Sequence, residues 1–202
     1  MNYHNRMDKY YLSINEIGLD EAGRGPLIGN VYAGAVIWQD DVETPNFIKD
    51  SKKLSSKKRK IALDWIKDNI KYYSYGYATN EEIDKINILE ATKLAMSRAI
   101  NNLNLEDERP LIIDGIGWDK KFNNVTSIVK GDSKYYSIAA ASIIAKEYHD
   151  QHIRDLCSEN NEFDTKYDLL KNMGYPTKKH IQGIREHGFS EYHRLTFQIK
   201  NL

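Results

Sequence analysis

The chain has 202 residues, a formal net charge of zero and 41% hydrophobic residues, so we expect a globular domain without an overall field that attracts polyanions. Cys157 is the only cysteine, which excludes a disulfide framework or a thiolate metal cluster within the chain and agrees with a reducing compartment. The first residues lack the apolar segment of a signal peptide, and no apolar run reaches membrane-spanning length. We therefore expect a cytoplasmic protein that does not enter a membrane.

Hydrophobic patterning predicts strands in a meander, followed by strands that alternate with helices, which is typical of a mixed α/β sheet. The predicted strands cover residues 11–19, 30–38, 72–78, 110–114 and 125–129, and the second is expected to pair with the first as a hairpin. The predicted helices cover residues 56–70, 81–84, 88–103, 133–156 and 177–187. Small residues from Ala139 to Ala145 predict that the long helix packs closely against the sheet.

Two adjacent carboxylates, Asp20 and Glu21, stand at the end of the first predicted strand. A glycine-flanked arginine follows at Gly23, Arg24 and Gly25. Carboxylate oxygens hold hard divalent cations, and glycines let a ligand approach the main chain closely. A metal site beside bare backbone suits phosphodiester chemistry.

Two further acids stand at element ends, Asp114 before a glycine and Asp132 between a strand and the long helix. Each has a simpler interpretation, because Asp132 could cap the helix and Asp114 could belong to a turn. Asp20 and Glu21 could be a solvated strand end. Taken together, the acids favour a site for two metal ions, while Asp150 is expected to form an ion pair with Lys146 one helical turn earlier.

Basic residues concentrate in two segments, 49–60 and 166–200. Local patches of this kind contact phosphates even when the whole chain is neutral. Either segment could equally be a solvated face.

The ordered set of motifs resembles ribonuclease HII, the type 2 ribonuclease H family, over nearly the whole chain. The matching runs are Gly-Leu-Asp20-Glu21-Ala-Gly-Arg-Gly-Pro, Asp50-Ser-Lys-Lys-Leu-Ser, Ile-Ile-Asp114-Gly, Val-Lys-Gly-Asp132-Ser-Lys, Ser-Ile-Ala-Ala-Ala-Ser-Ile-Ile-Ala-Lys146, Gly-Tyr175-Pro-Thr-Lys-Lys-His and His193-Arg-Leu-Thr-Phe. The Gly-Arg-Gly form resembles this family rather than its sister family HIII, which typically carries Gly-Thr-Gly and an added N-terminal domain.

The resemblance implies a ribonuclease H-like fold with a central mixed five-stranded sheet flanked by helices. It implies one catalytic domain over residues 1–202, in which a helical region from about residue 160 binds substrate. The implied activity is cleavage of the RNA strand of RNA–DNA hybrids and incision 5′ of single ribonucleotides in duplex DNA, leaving 3′-hydroxyl and 5′-phosphate ends. The alternatives are a nuclease of the same fold without ribose selectivity and a non-catalytic nucleic-acid-binding protein.

The resemblance also assigns roles to the motif residues. The family's four catalytic and metal-binding acids fall on Asp20, Glu21, Asp114 and Asp132, and two Mg²⁺ or Mn²⁺ ions are expected. We expect Asp20 to be the bridging ligand because it leaves the strand first and lies deepest. The 2′-hydroxyl is expected to contact Gly23, Arg24 and Gly25, and the sugar of the next deoxynucleotide to contact Tyr175. Phosphate contacts or charge balance are expected from Lys52, Lys53 and Lys146.

A monomer is the expected state for the family. The tail from Gln198 to Leu202 lacks the paired aromatics of a sliding-clamp peptide, so clamp binding is not expected.

Overall fold

A computed structural model, which describes residues 7–13 and 15–199, places a five-stranded mixed sheet at the centre of the protein. The strands are β1 (Ile17–Ala22), β2 (Val31–Ile37), β3 (Tyr72–Ala78), β4 (Leu111–Asp114) and β5 (Val125–Ile128). They lie in the order β3-β2-β1-β4-β5. The β1–β2 and β2–β3 pairs are antiparallel, and β4 and β5 run parallel to β1. This confirms the predicted mixed sheet and the hairpin of its first two strands.

Helices cover both faces of the sheet. They are α1 (Ser56–Asn69), α2 (Asn80–Asn102), α3 (Tyr136–Glu159), α4 (Glu162–Tyr167), α5 (Leu169–Asn172) and α6 (Lys178–His187). The main hydrophobic core lies between the sheet and α2, and a second core joins the opposite face to α1 and α3. Among the described residues, the structure has no helix with the length and apolar character needed to cross a membrane.

The first strand begins later than the sequence predicted, at Ile17 rather than at residue 11. The buried Glu16 side chain explains the difference, because its carboxylate accepts hydrogen bonds from the amides of Tyr11 (2.6 Å), Leu12 (2.6 Å) and Ser13 (3.2 Å). Amides that bind a carboxylate are not available to a strand ladder. Ile14, within the predicted strand, lies outside the described residues, as do residues 1–6 and 200–202 at the two ends.

Two helix boundaries also differ from the prediction. The predicted helices 81–84 and 88–103 join into α2, which retains a non-helical residue at Asn87 (φ 68°, ψ 164°) between them. The long helix begins at Tyr136 and not at residue 133, because Gly131–Ser133 form a separate 3₁₀ turn. Tyr135 precedes the helix, so Asp132 does not serve as its N-cap.

The C-terminal helices pack on the second half of α3 and on the segment after β1. Their shared hydrophobic cluster contains Ile28, Ile153, Phe163 and Leu169. The C-terminal region is therefore helical, as expected, and its apolar contacts connect it to the loop that leaves the first strand.

The long helix α3 lies unusually close to the central strands. A Cβ added at Gly34 of β2 would lie 2.3 Å from the carbonyl oxygen of Ala141, and one at Gly18 of β1 would lie 2.4 Å from Oγ of Ser137. Such distances leave no room for a methyl group. This confirms the close packing that the small residues of the helix predicted.

Gly34→Ala is expected to destabilise the fold by about 1–3 kcal/mol, because the new methyl must displace the α3 backbone. Chemical denaturation measures the loss. Gly117→Ala is the matched control, since nothing lies within 4 Å of its Cβ position and only its positive φ of 86° carries a cost. A Gly34→Ala variant as stable as the control would contradict the close packing.

Candidate active site

Three aspartates meet at one end of the sheet, on the face covered by α3. Asp20 lies in β1, Asp114 ends the adjacent parallel strand β4, and Asp132 lies in the turn that leads to α3. Each offers a carboxylate oxygen, and these oxygens lie within 4.8 Å of one another. Parallel neighbours end at the same edge of a sheet, so two of the three acids meet through strand pairing alone.

Alternation of side chains along the strands decides which acids join this carboxylate cluster. Gly18 faces α3, so Asp20, two residues later on the same strand, faces α3 as well. Ile112 packs against Ile138 of α3, which places Asp114 on the same face. The Glu21 side chain, one residue after Asp20, alternates to the other side of the strand, so it lies beside the cluster rather than within it.

Local hydrogen bonds hold the aspartates in place. Oδ1 of Asp114 accepts the Gly131 amide at 2.6 Å, which joins β4 to the turn that carries Asp132. Oδ1 of Asp20 accepts the Glu21 amide at 2.7 Å, and the Ser142 hydroxyl of α3 also bonds to Asp20. The sheet, the turn and the helix therefore each position one part of the cluster.

The cluster is crowded with negative charge. Burial, followed by the charges of Glu21 and Asp114, raises the pKa of Asp20 well above its usual value. Burial, Asp114 and Asp50 raise the pKa of Asp132 to about 6. Carboxylates held together in this way are typical of sites that a cation or a reaction uses.

Glu21 has an unused buried oxygen. Its Oε1 accepts a hydrogen bond from Arg24 at 3.0 Å, while Oε2 is buried without a hydrogen-bond partner in the described structure. Burial raises the pKa of Glu21, although Arg24 opposes the change. An orphaned buried oxygen next to three clustered carboxylates fits a hard divalent cation, which takes oxygen ligands.

Two of the three lysines predicted at the site, Lys52 and Lys53, occupy different positions. Lys52 lies near the cluster. Burial acts to lower its pKa, but the negative charges around it, first those of Asp20 and Asp132, act in the opposite direction, and the net result is a raised pKa. Lys53 is mostly exposed and faces Asp50 at 3.6 Å. Lys52 is therefore placed to balance the charge of the acids, while Lys53 points to solvent.

Residues 23–25 and Tyr175 form a second feature, which we call the loop–turn surface. A Cβ on Gly25 would lie 3.2 Å from the Tyr175 ring, and one on Gly23 would lie 2.4 Å from the His149 ring. Nζ of Lys146 lies 5.9 Å from the centre of the Tyr175 ring. The structure thus brings Gly25, Tyr175 and Lys146 together, although they are far apart in sequence.

The predicted ion pair between Lys146 and Asp150 is present at 2.5 Å, within a larger buried network. Arg59 contacts Glu147 at 2.7 Å and Asp150 at 2.9 Å. Arg59 belongs to the basic segment 49–60, yet it is buried and paired, so that segment is not a uniform phosphate-binding face. Asp150 is stabilised here as a charged group away from the carboxylate cluster.

Sequence reasoning missed residues that support the site from a distance. Asp50 was noticed only as part of a motif, yet its charge acts on Asp132. Arg194 is buried against the main chain of the loop that contains residues 23–25. His180 and His193 contact each other in the core. The motif runs contained all four residues, but only tertiary contacts reveal what each one touches.

The chain matches known proteins along almost its full length. A family profile described as Ribonuclease HII matches residues 17–200. A ribonuclease HII of Phocaeicola vulgatus is 46% identical over 186 residues, which cover 91% of this chain and 89% of the relative.

Solved structures agree on the fold. The ribonuclease H2 of Pyrococcus horikoshii aligns with a TM-score of 0.66 and 26% identity, covering 91% of this chain and 94% of that one. A chain from the PCNA:RNase HII complex of Archaeoglobus fulgidus aligns with a TM-score of 0.72 and 22% identity, covering 93% of this chain and 97% of that one. These likenesses confirm the predicted ribonuclease H-like fold.

Asp20→Asn is expected to raise the melting temperature of the metal-free protein by a few degrees at pH 8. A carboxyl whose pKa is raised on folding contributes its stability at low pH and loses it as the pH rises through the folded value. The gain should therefore shrink toward pH 4, as thermal unfolding in excess EDTA would measure.

The exposed Asp107 supplies the control, because Asp107→Asn removes a carboxylate that faces solvent. Excess Mg²⁺ should stabilise the wild type more than Asp20→Asn, since a ligand bound only by the folded state stabilises it. An equal response of both proteins to Mg²⁺, or a gain that grows toward pH 4, would contradict the charge-crowding explanation.

Proposed function

The chain belongs to the ribonuclease HII family and is accordingly a ribonuclease H, an endonuclease, and on this premise we propose that it acts with divalent metal ions on two substrates. It cleaves the RNA strand of RNA–DNA hybrids, and it incises duplex DNA 5′ of a single embedded ribonucleotide. The products carry 3′-hydroxyl and 5′-phosphate ends. The observation that carries this proposal is the carboxylate cluster beside the loop–turn surface.

The cluster is proposed to hold two Mg²⁺ or Mn²⁺ ions. Asp20, Asp114 and Asp132 would supply the oxygens, Asp20 would bridge, and the free Oε2 of Glu21 would complete the set. When bound, such ions activate the attacking water and stabilise the leaving 3′-oxygen. The acids carry out no chemistry of their own in this proposal, and they are needed in the charged form.

Positive charge near the acids would assist phosphate binding. Lys52 lies close enough to the cluster for its pKa to respond to Asp20 and Asp132, so its ammonium group can meet a phosphate placed there. Lys53 is exposed beside it and can contact a neighbouring phosphate. Lys146, fixed by Asp150, would meet the strand near Tyr175.

Selection for ribose is proposed to lie on the loop–turn surface. The 2′-hydroxyl is the one group that separates ribose from deoxyribose, so a reader must reach it closely. Gly25 is exposed and has no side chain to keep the sugar away, while Gly23 has a positive φ of 87° that suits a glycine. Tyr175 is 39% exposed and adjoins Gly25, so its ring can pack on the next sugar.

The C-terminal helical region, from about residue 160, is proposed to contribute to substrate binding through Tyr175. Tyr175 follows the positive-φ residue Gly174 and precedes Pro176, which gives its backbone little freedom. A non-catalytic binding protein would gain nothing from three clustered carboxylates near phosphate. A nuclease without ribose selectivity would not need the contact between Gly25 and Tyr175.

A gel assay with three duplexes separates these alternatives. With Mg²⁺ or Mn²⁺ we expect incision of the hybrid and of the single-ribonucleotide duplex and no cutting of all-DNA duplex, while excess EDTA should abolish the activity. Asp114→Asn should lower turnover by about a hundredfold or more because a lost ligand charge weakens metal binding. Asp107→Asn, at an exposed position, is its control.

Cleavage in metal-free EDTA would refute the metal mechanism. Cutting of all-DNA duplex at the same rate would favour the nonselective nuclease, and binding without cutting by the wild type would favour the binding protein.

Tyr175→Ala should lower incision at a single ribonucleotide by about ten- to a hundredfold, the scale of a stacked ring worth roughly 1–3 kcal/mol. Tyr175→Phe is the matched control, because it keeps the ring that packs beside Gly25. Incision rate and metal affinity are measured for both variants on one substrate. Unchanged incision by the alanine variant would return Tyr175 to the role of a surface turn residue.

A further inference from the structure

Two neighbouring residues near the C-terminus, His193 and Arg194, reach the two halves of the loop–turn surface from inside the protein. Each is 1% exposed. Arg194 contacts the segment that contains the loop 23–25, and His193 connects through His180 to the backbone of Tyr175. Gly25 and Tyr175, which the proposed function places against the substrate, are exposed, whereas His193 and Arg194 are buried.

The guanidinium group of Arg194 donates to five main-chain carbonyl groups. They belong to Gly23 (2.7 Å), Arg24 (3.2 Å), Pro26 (2.7 Å), Gly29 (2.9 Å) and Asn30 (3.1 Å). Burial lowers the pKa of Arg194 to about 9, so the group remains charged at neutral pH. A buried charge is costly unless it is hydrogen-bonded, and here the carbonyl dipoles of one loop supply the bonds.

These bonds set the direction of the peptide groups in the loop. In a trans peptide the carbonyl and the following amide point in opposite directions. Because the carbonyls of Gly23 and Arg24 point at the guanidinium group, the amides of Arg24 and Gly25 point away from it. The carbonyls are thus held on the buried side of the loop, while Arg24 and Gly25 themselves are exposed.

The histidines form a hydrogen-bond chain with a fixed direction. The Ser190 amide lies 2.9 Å from Nδ1 of His193, and because an amide can only donate, Nδ1 accepts. The ring proton of neutral His193 is then on Nε2, which faces Nε2 of His180 at 3.1 Å. His180 must accept there, so its own proton is on Nδ1, 3.0 Å from the carbonyl oxygen of Tyr175.

Both rings must be neutral for this chain to form. A charged His180 would place two protons between the facing nitrogens, and a charged His193 would place a proton on Nδ1 against the Ser190 amide. Burial lowers the pKa of His180 and lowers that of His193 to about 3, which agrees with two neutral rings. The chain ends on the carbonyl of Tyr175, a group that can only accept, so both ring protons have an acceptor.

Main-chain bonds join the two anchors into one unit. The Arg194 amide donates to Leu27 at 2.8 Å, and the Leu27 amide donates to Gly174 at 2.8 Å. Ile28 forms an isolated bridge with His193. The loop 23–25 and the turn at Tyr175 are thus both held by the same dipeptide, His193-Arg194. This dipeptide lies about 170 residues after the loop and about 20 residues after Tyr175 in the sequence.

We propose that His193 and Arg194 are positioning residues that fix the spacing between the loop 23–25 and Tyr175, and that this spacing lets the enzyme recognise a ribose followed by a deoxyribose. The inference rests on the proposed function and adds the residues that set its selectivity. At a junction between a ribonucleotide and a deoxyribonucleotide, the ribose must contact the loop 23–25 while the next sugar contacts the Tyr175 ring. A long hybrid presents a ribose in every register, so it tolerates a shifted spacing.

The activity test compares kcat and KM on the single-ribonucleotide duplex with those on a long hybrid. Arg194→Lys keeps the charge but replaces a five-donor fork with three donors, so the loop loses part of its hold. It should reduce kcat/KM on the junction about tenfold more than on the hybrid. Arg98→Lys is the control, since Arg98 also donates to a main-chain carbonyl, that of Tyr77.

The histidine chain is tested by a pair of variants at one position. His180→Leu removes the donor to Tyr175, whereas His180→Asn places an amide nitrogen close to the position of Nδ1 and should recover much of the junction preference. In a Tyr175→Ala background, the tenfold effect of Arg194→Lys should shrink to about threefold or less, because residues that act through one another are not additive. Equal losses on both substrates, with full additivity, would overturn the proposal.

Nuclear magnetic resonance of the wild type tests the positioning without any activity. We expect His193 as the Nε2-protonated tautomer, His180 as the Nδ1-protonated tautomer, and shifted amide signals of Gly25 and Tyr175 in Arg194→Lys. The opposite tautomers would overturn the inference even if the variants fail to fold. A wild type that never incises the junction but shows these signals would refute the proposed function and leave the positioning contacts in place.

Discussion

The close contact between α3 and the central strands is the constraint on which the rest of the structure depends. A Cβ at Gly34 would come within 2.3 Å of the helix backbone, so the helix lies directly on β1 and β2. This brings Ser142 against Asp20, and successive turns bring Lys146 to Tyr175 and His149 to Gly23. The carboxylate cluster and the loop–turn surface are therefore supported by different turns of the same helix, and their separation is fixed by its rise.

Buried acids on this helix face fall into two groups that differ in their compensation. Asp150 is paired with Arg59 and Lys146, and although burial opposes it, hydrogen bonds from His149 and Lys146 help to lower its pKa. Asp20 and Asp132 lie among other carboxylates, and their pKa values are raised. Acids paired with cationic side chains contribute to a stable fold. Acids crowded together lower the stability of the fold until a cation binds them. The structure thus separates a supporting network from a cation-binding one.

The loop–turn surface, which we propose meets the sugar, is built from short loops, and loops need external support to hold a geometry. That support comes from inside the protein, where Arg194 donates to the carbonyls of Gly23 and Arg24, while Arg24 and Gly25 remain exposed as residues. Under the proposal, specificity depends on residues that do not touch the substrate. It also connects the C-terminal helices to the strand that carries Asp20, since His193 and Arg194 follow α6.

The sequence by itself determined the mixed sheet and the close packing of α3 and singled out the acids as candidates, because strand alternation, small-residue spacing and short motifs are local properties. It misplaced the start of β1, since nothing local shows that Glu16 binds the amides of Tyr11 and Leu12. Only the tertiary structure decided that three aspartates share one face while Glu21 lies beside them, that Arg59 is buried in an ion-pair network, and that Arg194 and His193 hold the loop and the turn. The physical reason is that burial, charge balance and hydrogen-bond direction depend on partners far away in the chain, which are known only once the chain has folded.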